Sequence, residues 1–420
     1  MIDLELLRKN PEVVKEEIKK RGIKLDVNAD IELEKERRNL IFRGDELRSK
    51  KNDASKIIPK LKGAEKEKII ADMKQLNNDL KKIEVELNKV ERKFFLHLSN
   101  YPNISHPTTP VGKDEKDNKV IYHIGEKPDF DFKPKNHIEL GTSLNILDEK
   151  RAAKISGSRF IFLKNENVIL EFALIQYVLN ILIKKGFIPL IPPVLVKEKS
   201  MYGTGFFPVE KTQYYKTELD DLYLIGTAEV PLCAYHSDEI LDSDSLPLKY
   251  TAYSTCFRRE AGSYGKDLGG MFRVHQFNKI EMFIFSHPDN SWDEYEKLRE
   301  TLEDIVKGLK LNYRILNMCT GDIGATNAKK YDLEVWLPGQ DRYREVASCS
   351  HDTDFQARRL NIKYKDGSMK GFVHTMNSTA CAIGRTLIAI MENYQDKDGN
   401  IVIPDVLIQY MGGKNIISNK

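Results

Sequence analysis

Cysteine is scarce in this 420-residue chain, and its arrangement excludes more than its number does. The five cysteines, Cys233, Cys256, Cys319, Cys349 and Cys381, are odd in number and form no C-x-x-C pair. Neither a disulfide framework nor a zinc site is expected, and reduced thiols in a cytosol fit the pattern. Cys349 and His351 have no second pair of ligands near them, so no zinc is expected there either. Long apolar runs are also missing. The greasiest stretch, residues 168–183, is broken by Glu171, Gln176 and Asn180 and is short for a bilayer span. It reads as a buried or subunit-contacting helix ending at Gly186. Residues 1–10 carry no apolar signal segment, so a cytoplasmic protein with no membrane partner is expected. Internal repeats and low-complexity tracts are absent. Net charge is only +3, so composition alone does not announce a nucleic-acid binder.

What is present is ordinary in bulk: 41% hydrophobic and 31% charged residues, as in a globular chain with room for two or three domains. The order along the chain is less ordinary. From Ile69 the apolar residues Met73, Leu76, Leu80, Ile83, Leu87, Val90 and Phe94 alternate spacings of four and three, a heptad seam. The preceding segment keeps a seven-residue beat at Leu33, Leu40, Leu47 and Ala54, with Arg37, Gly44 and Lys51 at the alternate positions. A Pro/Gly turn at residues 57–63 joins the two runs, which predicts an antiparallel helical hairpin over about 28–98, roughly 45 Å long at about 1.5 Å per residue. Residues 31–98 hold 18 Lys and Arg against 13 Asp and Glu, and the tip at 50–68 has seven Lys against three acids. Solvated helix faces account for most of that charge. The excess at the tip, Lys50, Lys51, Lys56, Lys60, Lys62, Lys66 and Lys68, suits contact with a phosphate backbone. A Pro/Ser/Thr-rich linker at 101–110 separates this N-terminal helical domain, 1–100, from the remainder, 111–420. There, strands joined by hairpins with helices between them predict an antiparallel α+β sheet.

Residues 257–281 carry the densest chemistry. They read as two antiparallel strands joined by a loop holding Gly262, Gly265, Gly269 and Gly270. Arg273, Phe277 and Glu281 differ by even numbers and share a strand face, as do Arg258 and Glu260. That face offers guanidiniums for phosphate, an aromatic plate for a base and a carboxylate for a cation. The Gly262–Lys266 stretch is not a P-loop, because its spacing is wrong and no Ser or Thr follows the lysine. A hairpin of strands at 331–349 turns at 338–341, and a last strand at 371–377 feeds a helix containing Gly384-Arg385-Thr386.

Three segments in order, a helix and strand spanning 186–193, Phe257-Arg258-Arg259-Glu260, and Gly384-Arg385-Thr386, resemble the signature motifs of class II aminoacyl-tRNA synthetases. Thr227-Ala228-Glu229, Phe272-Arg273-Val274-His275-Gln276-Phe277, residues 332–338 and residues 345–350 resemble the seryl-tRNA synthetase family, and the helical hairpin is similar to that family's N-terminal arm. The His123-Ile124-Gly125-Glu126 tetrapeptide lacks the final histidine and the partner motif of the other synthetase class. The resemblance covers essentially the whole chain and implies a class II antiparallel sheet with an α-helical coiled-coil arm. It implies a ligase that activates L-serine with ATP and passes it to tRNA(Ser), and to tRNA(Sec) where that exists.

The resemblance also implies roles. Arg258 and Arg385 are the catalytic guanidiniums, suited to a phosphorus centre that gathers negative charge. ATP is held by Arg258, Arg259, Glu260, Arg273, Val274, Phe277, Glu345, Val346, Ala347, Ser348 and Arg385. Mg²⁺ is held through ATP by Glu345 and Ser348, since a hard cation prefers oxygen. Serine is bound by Thr227, Ala228, Glu229, Arg258, Glu281 and Thr379, and tRNA by the tip lysines. Glu281 lies about 13 Å beyond Phe277 at about 3.3 Å per residue, toward the amino-acid end. Residues 377–383 depart from the commoner bacterial form at Ser378–Cys381, which bears on pocket volume, while Thr379 keeps a hydroxyl. A homodimer is implied, with the 168–185 helix and the next strand as its contact. Two other readings stay open at this point: a ligase that loads a carrier protein, and a non-catalytic tRNA-binding relative. The basic arm argues against the first and the paired phosphate-type arginines against the second.

Overall fold

The computed structural model describes residues 1–261, 267 and 269–419; Gly262, Gly265 and Lys266 of the hairpin loop lie outside the described residues. The chain forms two compact units, residues 2–101 and residues 102–420 with Met1.

The first unit is helical: α1 (Leu4–Lys9), α2 (Pro11–Lys20), α3 (Val27–Ile57) and α4 (Ala64–Leu98). Asp26 caps α3 by accepting the Ala29 N–H at 3.1 Å, which supplies one of the partners a helix start lacks. Pro59 sits in a 3₁₀ turn, Ile58–Lys60, and Gly63 turns the chain at φ +62° into α4, so α3 and α4 fold back on each other. The seam between them is the heptad seam. Leu33, Leu40 and Gly44 are buried on α3, opposite Ile83, Val90 and Phe94 on α4. The polar seam position Arg37 is met by charge, reaching Glu91 at 3.3 Å, and Arg48, beside the seam, reaches Glu84 at 3.4 Å. Near the base, buried Glu34 is shared by Arg8 (2.6 Å) and Arg38 (2.7 Å), so its charge is paired. Six of the seven tip lysines are exposed, while Lys51 is half-buried because it occupies the seam.

The second unit is built on an eight-stranded sheet. Its strands are β1 (Lys119–Ile124), β2 (Ile188–Leu190), β3 (Leu248–Phe257), β4 (Gln276–Ser286), β5 (Tyr313–Asn317), β6 (Lys329–Leu337), β7 (Arg342–Thr353) and β8 (His374–Ala382). The order across the sheet is β1-β5-β6-β7-β8-β4-β3-β2, antiparallel throughout except for the β2–β3 edge. One face is covered by α5 (Glu166–Lys184), α6 (Ser291–Gly308) and α7 (Ile383–Asn393). Ile280, Met282 and Ile284 of β4 pack there with Met376 of β8 and Leu333 of β6. Period-two alternation therefore sends Lys279 and Glu281 to the opposite face. Part of that face is closed by a second apolar cluster containing Phe283, Phe285, Leu232 and Leu360. The rest is left polar.

Leu170, Leu174, Val178 and Leu182 of α5 are buried in the main core, and Gly186, at φ +85°, ends the helix in the left-handed conformation a glycine adopts without strain. The outward face of α5 carries Ile169, Phe172 and Ile183, which stay exposed. The expected 338–341 turn is a 3₁₀ turn at Pro338–Gln340 between β6 and β7. Residues 102–110 belong to the sheet unit: the Asn103 amide, buried, donates to the Thr326 and Asp352 carbonyl oxygens at 2.8 and 2.7 Å.

The hairpin corrects one expectation. β3 ends at Phe257 and β4 begins at Gln276, so Arg258, Glu260 and Arg273 lie on the connecting segments rather than on strands. Strand parity places Phe277 and Glu281 only. Arg258 is held instead by an exchange with His275, whose carbonyl oxygen accepts the Arg258 N–H at 2.9 Å, and Glu260 takes a left-handed conformation at φ +50°.

Candidate active site

The polar part of the sheet opens on a cavity of about 760 Å³. At one end, Thr227 precedes the short helix Glu229–Ala234, and Lys279, Glu281, Asn377 and Thr379 rise from β4 and β8. A register slip between Thr379 and Cys381 makes Ala380 the extra residue of β8 and sets Thr379 opposite Glu281. The Lys279 ammonium donates to the Thr227 hydroxyl at 2.7 Å and to the Thr379 hydroxyl at 3.4 Å, and pairs with the Glu281 carboxylate. The Thr227 hydroxyl in turn donates to Glu281 at 3.2 Å and accepts the Glu229 N–H at 3.2 Å. Glu229 has amide partners instead: Gln356 donates to it at 2.8 Å and Asn377 at 3.2 Å. Asn377 also donates to Asp352 at 2.9 Å. Burial, with the nearby charges of Asp352 and Glu281, pushes the Glu229 carboxyl up to about 8. Burial pushes Asp352 up to about 6. This end of the cavity is short of positive charge.

The other end is rich in it. The Arg258 side chain donates to the Gly226 carbonyl oxygen at 3.1 Å and lies 5.4 Å from the Phe277 ring centre. Gly226 is required there, because a Cβ would stand 2.7 Å from the Tyr214 ring. Arg273 donates to Glu260 at 2.7 Å. Arg385, on the first turn of α7, donates to the Glu345 carbonyl oxygen at 3.0 Å and its carboxylate at 3.1 Å. Burial alone would raise the Glu345 carboxyl, but the charges of Arg385 and Lys330 outweigh it and hold that carboxyl at about 2. Glu345 and Ser348 differ by an odd number yet both line the cavity. The register slip between Leu333 and Glu334 makes Val346 an extra residue of β7 and resets the alternation. Asp332 lies opposite Ser348 in register and pairs with Lys330 at 3.0 Å; burial pushes its carboxyl up to about 7.

Of the residues singled out in the sequence, Thr227, Glu229, Arg258, Glu260, Arg273, Val274, Phe277, Glu281, Glu345, Val346, Ala347, Ser348, Thr379 and Arg385 line this one cavity. Two do not. Ala228 is buried in the second apolar cluster, and Arg259 touches the site only through its main chain, which donates to the Gln213 carbonyl oxygen at 2.8 Å. Lys279, Lys330, Asp352 and Asn377 are among the lining or supporting residues that escaped the sequence reading. Lys279 shares the even spacing of Phe277 and Glu281, and Asn377 that of Thr379, so the period-two signal was available for both. For Asp352 and Lys330 no local pattern existed.

The tRNA synthetase class II core domain (G, H, P, S and T) matches residues 209–394, which include nearly all of these cavity residues. Fold and site therefore define a class II aminoacyl-tRNA synthetase core. The seryl-tRNA synthetase N-terminal domain matches residues 1–105. The serine–tRNA ligase of Thermodesulfovibrio yellowstonii is 46% identical over 419 residues, covering 98% of this chain and 99% of that one. A crystal structure of seryl-tRNA synthetase from Pyrococcus horikoshii complexed with ATP superposes with a TM-score of 0.92 at 41% identity, covering 100% of both chains. The cytoplasmic serine–tRNA ligase of Naegleria fowleri in complex with AMP gives a TM-score of 0.88 at 34% identity, over 100% of this chain and 99% of that one. The chain belongs to the seryl-tRNA synthetase family, and it is an aminoacyl-tRNA ligase.

The raised Glu229 carboxyl has a measurable consequence. Its folded pKa lies above the ordinary carboxylate value, so the folded state holds the proton more tightly than the unfolded chain does. The resulting stability is complete at low pH and is lost as pH rises through about 8. In ligand-free protein, Glu229→Gln should match wild type in melting temperature near about pH 5 and exceed it increasingly toward about pH 9. Thermal unfolding followed by circular dichroism across that range reads the gap; a gap independent of pH would contradict the assignment.

Proposed function

We propose that this cavity activates L-serine with ATP and that the chain then transfers the seryl group to the 3′ end of tRNA(Ser), and of tRNA(Sec) where present. The observation that carries the reading is the division of one cavity into a cation-poor amino-acid end and an arginine-rich phosphate end, floored by Phe277. The serine carboxylate oxygen attacks the α-phosphorus of ATP. The new O–P bond forms as the bond to the pyrophosphate oxygen breaks. Arg258, fixed to the Gly226 carbonyl oxygen, stands ready for the charge gathering on the α-phosphate and carboxylate. Arg385 and Arg273 suit the outer phosphates, exchanging their present carboxylate partners for phosphate oxygens. Phe277 stacks the adenine, with the Val274 main chain beside it. In the second step a ribose hydroxyl oxygen of the tRNA attacks the acyl carbon and AMP leaves.

A magnesium ion fits the donor set. Mg²⁺ takes one or two protein oxygens and completes its shell with phosphate and water, and Glu345, held ionised, with Ser348 offers that few. Among the described residues no group of three or more His, Cys, Asp or Glu forms a closed metal cage. When bound, the ion would neutralise charge on the phosphates. Glu345 and Ser348 would hold it, while Arg385 keeps its bond to the Glu345 main-chain carbonyl oxygen.

We assign tRNA contact to the exposed tip lysines of the α3–α4 hairpin, Lys50, Lys56, Lys60, Lys62, Lys66 and Lys68, with half-buried Lys51 beside them. A second copy of this chain is the proposed partner for the apolar strip of α5 and β2, where Phe172 is 61% and Ile188 49% exposed. Five free, buried cysteines support a reducing, cytoplasmic setting.

Three outcomes test this reading. Arg258→Ala should keep its fold and lose about 10²–10³ in serine-dependent ATP–pyrophosphate exchange, the scale for one preorganised charge donor; unchanged exchange would sink the phosphate role. Replacing residues 35–92 by a short Gly/Ser linker should spare exchange and abolish tRNA charging, and tRNA binding by the intact chain should weaken steeply with salt. Normal charging without the hairpin would make it structural only. Wild type should sediment as a dimer and Phe172→Glu as a smaller species; identical sedimentation would remove α5 from the interface.

A further inference from the structure

Lys279 stands in the floor of the amino-acid end with its ammonium fully engaged. Its three hydrogens go to the Thr227 hydroxyl, the Thr379 hydroxyl and the Glu281 carboxylate. Its side chain is 8% exposed and that of Glu281 only 2%, so the pair is shielded from water and the two charges cancel locally. Glu281 alone would be a buried carboxylate facing a cavity, and would draw in any cation small enough to reach it. Paired with Lys279, it keeps lone pairs for a hydrogen bond but offers no net charge. Glu229 is the opposite case. Its bonded partners are the Gln356 and Asn377 amides, and the acids Asp352 and Glu281 crowd it. Glu229 is therefore the cavity-lining carboxyl of this end that no cation bonds among the described residues.

We infer that Lys279 is a specificity-determining positioning residue: it neutralises Glu281, so that Glu281 accepts a side-chain hydroxyl while the α-ammonium of the amino acid is left to Glu229. This rests on the serine-activating reading above and adds to it which carboxylate reads which end of the substrate. The same ammonium keeps cationic side chains out, since a second positive charge at Glu281 would lie against Lys279. Thr379 is oriented by Lys279, while the Thr227 hydroxyl is fully engaged by Lys279, Glu281 and the Glu229 N–H.

The test is ATP–pyrophosphate exchange with serine, alanine and L-2,3-diaminopropionate, which carries an amine in place of the serine hydroxyl. Wild type should use serine and reject the other two. Lys279→Met, close in volume and uncharged, should lose about 10² in kcat/KM for serine, mostly through KM, because one partner of a buried pair is gone. It should also gain use of diaminopropionate, narrowing the serine preference by at least about 10-fold, since an exposed Glu281 charge now seeks a cation. Such a gain cannot come from misfolding. The double variant Lys279→Met/Glu281→Gln removes both charges and should fold well, show no gain for diaminopropionate and recover part of the serine rate. Wild-type ranking in Lys279→Met, equal loss for all three amino acids, or a diaminopropionate gain that persists in the double variant would overturn the inference. Absence of serine-dependent exchange in wild type would overturn the underlying reading as well, and so is distinguishable from failure of the Lys279 role alone.

Discussion

Opposite charges buried against each other on one face of an antiparallel sheet are the constraint on which the site depends. An isolated ion in that position costs several kcal/mol, about what a single buried charge loses on leaving water. Four cations of the cavity are accordingly matched, Lys279 with Glu281, Lys330 with Asp332, Arg385 with Glu345 and Arg273 with Glu260, while Arg258 donates to the Gly226 carbonyl oxygen. In the proposed reading, substrate phosphates replace carboxylates as partners of the arginines. The framework holds them independently, because main-chain carbonyl oxygens of Gly226 and Glu345 also accept from Arg258 and Arg385. That is preorganisation in structural terms.

The opposite face makes this affordable. The helices α5, α6 and α7 bury Ile280, Met282 and Ile284 in the main core, and the same strand that supplies this packing carries Phe277, Lys279 and Glu281 on its other side. Rigid ladder geometry thus fixes the spacing of cavity-facing groups. The exceptions matter as much as the rule. The extra residues Val346 and Ala380 re-aim Ser348 relative to Glu345 and set Thr379 opposite Glu281. Bulges next to active sites commonly serve this purpose.

The helical unit follows a different economy. Its seam is thin, with Gly44 opposite Ile83 at 3.7 Å from a would-be Cβ and arginines at Arg37 and Arg48 reaching across to acids. A long pair of helices with one narrow apolar stripe holds its shape through register more than through bulk. Its exposed surface is then free to carry the tip lysines.

Helix and strand periods made much of this legible from residues alone. The heptad seam, the Pro59–Gly63 turn, the α5 helix and the β6–β7 hairpin follow from local spacing, which no distant contact needed to decide. Phe277 and Glu281 were placed by strand parity for the same reason. Parity failed for Arg258, Glu260 and Arg273, because the ladder stops at Phe257 and resumes at Gln276, and Arg258 and Arg259 are held by His275 and Gln213 rather than by a neighbouring strand. It was also silent on the bulges, which depend on the partner strand. Asp352 and Lys330 carry no local signal at all; they become part of the site only when β6, β7 and β8 lie side by side. Local spacing therefore determined which elements form and which residue types they display. Only the tertiary structure decided which charges meet, since pairing energies depend on distances between strands far apart in the chain.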